Sequence, residues 1–210
     1  MYPSPILSHR RADLAVHAFA FGAVCIAGTA ILYRSTQTLS PALITATVIY
    51  VLCALISNQA SCFYHFAPRH EHRLLLRRID HAAIYLSITG TFTPLLVQAG
   101  TARTYTILAL CWVLSVIAIW NKITNPEVKS KWSTASYLAL GGIGLLALPD
   151  LTEVPAITPK LILAGSACYA IGTIFYARKS LPFRYSIWHT WVAFGGMFMF
   201  AGIWLALFPS

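Results

Sequence analysis

Seven long apolar stretches, separated by short polar connections, make up most of this chain. A helix that crosses the hydrocarbon core of a membrane needs about 20 mostly apolar residues. The apolar runs are continuous rather than alternating, which argues against a transmembrane β-barrel. The pattern therefore predicts an all-α membrane protein, a seven-helix transmembrane bundle that forms one domain over residues 1–210. The predicted spans lie near residues 12–33, 41–65, 79–97, 104–120, 132–148, 159–177 and 185–208.

The composition supports a membrane protein, and the residues of the first and fifth apolar stretches bear on whether each of them is a membrane span. The chain is 58% hydrophobic and 10% charged, whereas a soluble domain carries roughly a quarter charged residues. The fifth span is the weakest, because Ser133, Thr134 and Ser136 dilute its start. The first is expected to be a span and not a cleaved signal peptide, because its apolar run is long and contains His17.

The basic residues predict the orientation of the bundle. They fall at the ends of the apolar runs, so membrane topology explains the net charge of +9 better than nucleic-acid binding does. With the N-terminus in the cytoplasm, the outer segments hold only Arg34, Arg103 and Lys160 of the fifteen Lys and Arg residues. The positive-inside rule then predicts a cytoplasmic N-terminus and an outer C-terminus. In a bacterium this would be the cell (inner) membrane. The twelve inner residues are Arg10, Arg11, Arg69, Arg73, Arg77, Arg78, Lys122, Lys129, Lys131, Arg178, Lys179 and Arg184.

Polar residues of four predicted helices come to the same cytoplasmic level in this topology. Residues four apart share a helix face, and ionisable groups at membrane depth are costly and indicate function. Simpler explanations remain for some of them: Asp13 as an ordinary residue near a helix N-terminus, and Ser61 as an interhelical hydrogen-bonding group. The residues at this level are Asp13 and His17, Ser61 and His65, Asp80, and Tyr185 and His189.

The spacing of these residues resembles that of a known membrane-protein family. Ser61-x3-His65, followed by Asp80, is similar to the second- and third-span motif of the hemolysin III and progestin/adipoQ receptor family. The run Gly90-Thr91-Phe92-Thr93-Pro94 and the run Ile187-Trp188-His189 are also similar to that family's third and seventh spans. Asp13-x3-His17 resembles its first-span motif, which usually carries Asn at the position of Asp13.

This resemblance implies a seven-helix fold with a cytoplasmic N-terminus and a Zn²⁺ ion near the cytoplasmic face. It implies that His65 and His189 are zinc ligands, that Asp80 holds a water at the metal, and that Ser61 is a supporting polar group. Zinc held by three histidines and a water is typical of catalytic sites. Relatives in eukaryotes resemble lipid amide hydrolases of the ceramidase type, so the resemblance favours a metal-dependent lipid hydrolase.

One residue departs from the family pattern. Tyr185 stands where the first histidine of the seventh-span pair is expected. Three outcomes follow: Tyr185 binds the metal as a phenolate, Asp80 binds it directly, or the site is weak or empty. We expect a retained but weaker zinc site.

The alternative is a protein without enzymatic activity that affects bilayer integrity or senses lipids, with a degraded metal site. In either case the expected partners are membrane lipids and not nucleic acid. The short outer connections offer little surface to a large extracellular ligand.

Overall fold

Seven α-helices make up nearly all of the described part of the chain. The computed structural model describes residues 2–125 and 130–209, and no β-strand occurs among them. The helices are α1 (Leu7–Thr38), α2 (Pro41–Phe66), α3 (Arg73–Ala99), α4 (Ala102–Thr124), α5 (Ser130–Leu145), α6 (Ile157–Ala177) and α7 (Arg184–Leu207). The predicted all-α, seven-helix bundle is confirmed.

The helices end where local sequence signals predict that they should. Pro41 opens α2, at a position where its missing N–H costs nothing. Gly100 ends α3 in the left-handed conformation, with a φ of 65°. Thr101 and Thr104 then form a reciprocal capping box at the start of α4. Because this turn is so short, α3 and α4 are antiparallel neighbours.

The helix α3 is the central element of the bundle. It contacts α2, α4, α5 and α7, whereas α1 packs against α2 and α7. The C-terminal half of α3 is its most buried part, from Thr89 to Leu96. Chain alternation brings the starts of α1, α3 and α7 and the end of α2 to one end of the bundle. This is the end that we predict to be cytoplasmic.

The outer surface of the bundle is apolar. Ile26, Leu74 and Trp120 are each at least 69% exposed, and a soluble monomer rarely exposes so much contiguous apolar surface. Six of the helices in the described part are long and apolar enough to cross a membrane. The chain is therefore an integral, multi-pass membrane protein.

The remaining helix, α5, is short. It has 16 residues, which corresponds to about 24 Å of helix, less than the roughly 30 Å of a hydrocarbon core. This is the helix that the sequence identifies as the weakest span. Residues 126–129, just before it, lie outside the described part of the chain.

Candidate metal centre

Asp13 lies at the centre of a cluster of three histidines. Its side chain is fully buried. Its Oδ2 accepts a hydrogen bond from His65 Nδ1 at 2.6 Å, and its Oδ1 accepts one from His189 Nδ1 at 2.7 Å. Distances this short are typical of hydrogen bonds to an ionised acceptor. One carboxylate thus links α1 to both α2 and α7.

His17 joins the cluster from the same helix as Asp13. Its Nδ1 lies 2.8 Å from the Asp13 backbone oxygen, one turn earlier. Because a carbonyl oxygen can only accept, Nδ1 carries the hydrogen and Nε2 of the neutral ring has a lone pair. The Ser61 hydroxyl donates to this Nε2 at 3.1 Å. The contact is a second polar link between α1 and α2.

The three imidazole rings pack directly against one another. Their centroids are 4.1 Å apart for His17 and His189, 4.7 Å for His65 and His189, and 5.2 Å for His17 and His65. One ligand atom from each ring and one from Asp13 all lie within 4.8 Å of one another. This group can hold a metal ion.

The hydrogen bonds indicate which atoms are free to bind an ion. Two ligands of one zinc ion lie roughly 3–4 Å apart, so the two short contacts of Asp13 are hydrogen bonds and not a shared coordination shell. In all three rings Nδ1 is the donor, which leaves Nε2 as the atom with a lone pair. Zinc-binding histidines commonly donate their other nitrogen to a carboxylate or a backbone carbonyl. The types of ligand and the partners of the second nitrogens are therefore those of a histidine site that could hold a metal ion.

Two of the residues singled out from the sequence, Ser61 and Asp80, lie next to the cluster. Asp80, half-buried near the start of α3, is close enough to interact with the Ser61 hydroxyl. Ser61 thus lies between His17 and Asp80. His81, the next residue, is not part of the cluster, and its ring lies 6.3 Å from that of Tyr64.

Tyr185 also lies at the cluster, one turn before His189. Its ring is edge-on to His65, with the centroids 5.0 Å apart. The guanidinium carbon of Arg184 lies 4.5 Å from the centre of the Tyr185 ring. Tyr185 therefore contacts a cluster histidine.

The metal ligands predicted from the sequence do not include Asp13 or His17, which the structure places in one cluster with His65 and His189. The interpretation of Asp13 as an ordinary residue near a helix N-terminus is wrong, since its carboxylate is buried and bonded to two other helices. A signal was present: an acid and a histidine share one helix face inside an apolar run. What was missing was the rotation of α1 that turns this face toward α2 and α7.

The end of α2, which carries His65, is held by Arg73. The guanidinium of Arg73 donates to the backbone oxygens of Tyr64 and Ala67. These carbonyls have no partner within the helix. Phe66 packs edge-on against His17, with the ring centroids 5.0 Å apart. The contacts fix the backbone around His65 and shield the cluster with an aromatic ring.

Comparisons with known proteins give a consistent result. The profile of a family described as Haemolysin-III related matches residues 11–200. The chain is 33% identical over 182 residues to Hemolysin-3 of Bacillus cereus, covering 86% of this chain and 83% of the relative. It is 32% identical over 160 residues to a Hemolysin-3 homolog of Bacillus subtilis (strain 168), covering 75% of each chain.

Proposed function

Because the chain belongs to the haemolysin-III-related family of membrane proteins, we propose that it is a zinc-dependent hydrolase of an amide or ester bond in a membrane lipid. The observation that carries this proposal is the Asp13 cluster, in which His17, His65 and His189 come from three helices, use Nδ1 as a hydrogen-bond donor and have their lone pair on Nε2. A buried ionisable cluster in a membrane bundle is costly to maintain and indicates function.

We assign His17, His65 and His189 as the zinc ligands, with Asp13 as the residue that orients two of them. In this assignment His17 supplies the third nitrogen that Tyr185 does not. Three neutral imidazoles with an open fourth position are typical of catalytic zinc sites. When bound, zinc would polarise a carbonyl oxygen of the substrate and lower the pKa of a water molecule.

The remaining chemistry belongs to Asp80 and Ser61. Asp80 is the general base in this proposal, because it is a half-buried carboxylate at the edge of the cluster. A positioned general base typically contributes 10²–10⁴-fold to a rate. Ser61 hydrogen-bonds His17 Nε2 and lies next to Asp80, so it is a supporting polar group in this proposal. Tyr185 packs against His65 and limits the rotation of that ring.

Zinc content of the purified protein tests the metal site. We expect about one zinc ion per chain in the wild type and a large loss in His17→Ala and His189→Ala. His72→Ala is the matched control, since His72 is 57% exposed in the loop after α2, and it should keep its zinc. Equal zinc content in all four proteins would show that the cluster does not bind metal.

Hydrolysis in reconstituted vesicles tests the enzymatic part separately. We expect cleavage of an N-acyl sphingoid lipid or a phospholipid ester, loss on chelation, and recovery when zinc is added back. Asp80→Asn should keep its zinc and lose at least about 10²-fold in rate. A zinc-loaded wild type that cleaves neither class would overturn the hydrolase and leave the metal site standing.

The names of the relatives favour a second candidate function. Two similar proteins are named Hemolysin-3 or a homolog of it, which suggests membrane lysis for this chain as well. Dye release from vesicles separates the two functions. Lysis that is equal in the wild type, Asp80→Asn and the chelated protein would support the lytic function over the hydrolase.

A further inference from the structure

A long apolar groove lies on the outer surface of the bundle between α1 and α7. Its volume is about 950 Å³, and its walls are almost entirely nonpolar. On the α1 side five small residues line the groove together with Phe19 and Ile26, and on the α7 side two large rings line it. An added Cβ at Gly22 would meet no atom within 4 Å, so the space above it is open. Across the groove, two rings of α7, Phe200 and Trp204, face four small residues of α1, namely Gly22, Ala23, Ala27 and Ala30.

Small residues on a membrane helix also suit contact with another helix, so the small residues of α1 do not identify the occupant of the groove. The charged residue at one end of the groove, Arg34, indicates what the occupant is. Arg34 follows Ala30 by four residues and therefore continues the same face of α1. Its guanidinium carbon lies 5.8 Å from the ring centre of Trp204 and 5.0 Å from that of Phe208. The guanidinium is thus at the mouth of the groove.

Arg34 has no carboxylate partner among the residues that the structure describes. Within residues 2–125 and 130–209, no carboxylate lies within 4.0 Å of it. Arg103, at the same end of the bundle, is by contrast paired with Asp150 at 3.1 Å. An exposed arginine at headgroup level, held over aromatic rings, is suited to a planar anionic group such as a phosphate.

The length of the groove agrees with a lipid chain. The lining residues of α1 run from Ala18 to Ala30, which corresponds to about 18 Å of helix. One leaflet contributes roughly 15 Å of hydrocarbon. An acyl chain whose headgroup is at the level of Arg34 would therefore lie along the whole groove.

We propose that the α1–α7 groove binds one anionic phospholipid, with its phosphate paired to Arg34 and an acyl chain along the small-residue face of α1. The phosphate end of this site is remote from the metal centre, whereas its other end begins at Ala18, directly after His17. Arg34 and the metal cluster lie toward opposite ends of α1, about 25 Å apart along the helix between residues 17 and 34. Loss of the lipid site should leave zinc content unchanged.

Native mass spectrometry of the full chain in detergent tests whether binding depends on the negative charge of the lipid headgroup. Phosphatidylglycerol should bind about tenfold more tightly than phosphatidylcholine, which corresponds to one charge-assisted contact. Arg34→Gln should remove this preference. Lys160→Gln, which changes an exposed lysine predicted to be on the same side, should keep it. Water-soluble glycerol phosphate should not bind measurably, because it lacks the chain that occupies the groove.

A second pair of variants tests the groove. Gly22→Leu fills the groove and should weaken the binding of both lipids. Gly142→Leu is the matched control, since an added Cβ there also meets no atom within 4 Å. Ala23→Leu fills the same groove at the neighbouring residue and replaces Gly22→Leu if that variant does not fold. Thermal unfolding in detergent checks that each variant keeps its fold.

Two results would overturn the proposal. One is a lipid preference that persists in Arg34→Gln. The other is a dimer in the wild type that Gly22→Leu or Ala23→Leu dissociates while lipid binding is unchanged, which would identify the groove as a contact between two copies.

Discussion

A single carboxylate holds the ring orientations in the candidate metal centre. Asp13 accepts hydrogen bonds from two histidines at once, one on each oxygen. The first-span motif of the family that the sequence resembles usually carries Asn at the position of Asp13. An amide has only one oxygen acceptor, and its nitrogen is a donor, so it would not accept equally well from both rings. Within the proposed site, we therefore expect Asp13 to orient His65 and His189 together, which an amide would not do.

Asp13→Asn should therefore lower zinc affinity by about 10–100-fold, the usual effect of losing a partner that orients ligands. Competition with a chelator of known affinity measures this. Asp150→Asn is the control, because Asp150 pairs with Arg103 in the turn after α5. Unchanged affinity in Asp13→Asn would remove Asp13 from the site.

Tyr185→His should raise zinc occupancy when metal is limiting. The side chain already contacts His65. Imidazole binds zinc at neutral pH, whereas a phenol must first lose a proton with a pKa of about 10. Zinc content is compared in the wild type, Tyr185→His and His189→Ala. If Tyr185 is only an aromatic anchor at the end of a span, the new histidine will leave zinc content unchanged.

Close helix contacts in the bundle depend on small residues. At the α2–α3 contact, a Cβ added to Gly90 would lie 2.5 Å from the Cβ of Cys53. At the α6–α7 contact, one added to Gly195 would lie 2.7 Å from the ring of Tyr169. Close approach of this kind allows van der Waals packing in a solvent without a hydrophobic driving force.

Gly90→Ala should destabilise the protein by about 1–3 kcal/mol, as overpacking does, because the Cβ of Cys53 cannot rotate away. Thermal unfolding in detergent measures the change. Gly142→Ala, at an open position on α5, should be neutral or stabilising by up to about 1 kcal/mol, since alanine favours a helix more than glycine does. Similar melting temperatures for both variants would contradict the close contact.

The orientation of the whole molecule stays a prediction that follows from its charge. An odd number of spans places the two termini on opposite sides of the membrane. With most Lys and Arg residues at the end where α1, α3 and α7 begin, that end should be cytoplasmic.

A reporter that is active only in the cytoplasm tests the orientation when it is fused to the C-terminus. We expect no signal there and a strong signal from the same reporter inserted after Arg69 in the loop between α2 and α3. A strong C-terminal signal would mean that the orientation is reversed or that α5 does not span the membrane.

The sequence by itself determined the class of protein and its helices. Transfer of apolar residues into hydrocarbon depends mainly on local composition, so a count along the chain predicts the spans. Helix ends follow from equally local signals, such as Gly100 and the Thr101–Thr104 box. Spacing within one helix is local too, so the polar faces of single helices could be predicted, whereas the roles of His65, His189, Ser61 and Asp80 came from the family resemblance.

Only the tertiary structure decided which side chains complete the cluster. Asp13 and His189 are 176 residues apart in the chain, and their contact depends on how far α1 rotates about its axis and how closely it packs against α7. No local pattern encodes that rotation. For the same reason the groove between α1 and α7, and the position of Arg34 at its mouth, exist only once the two helices are packed side by side.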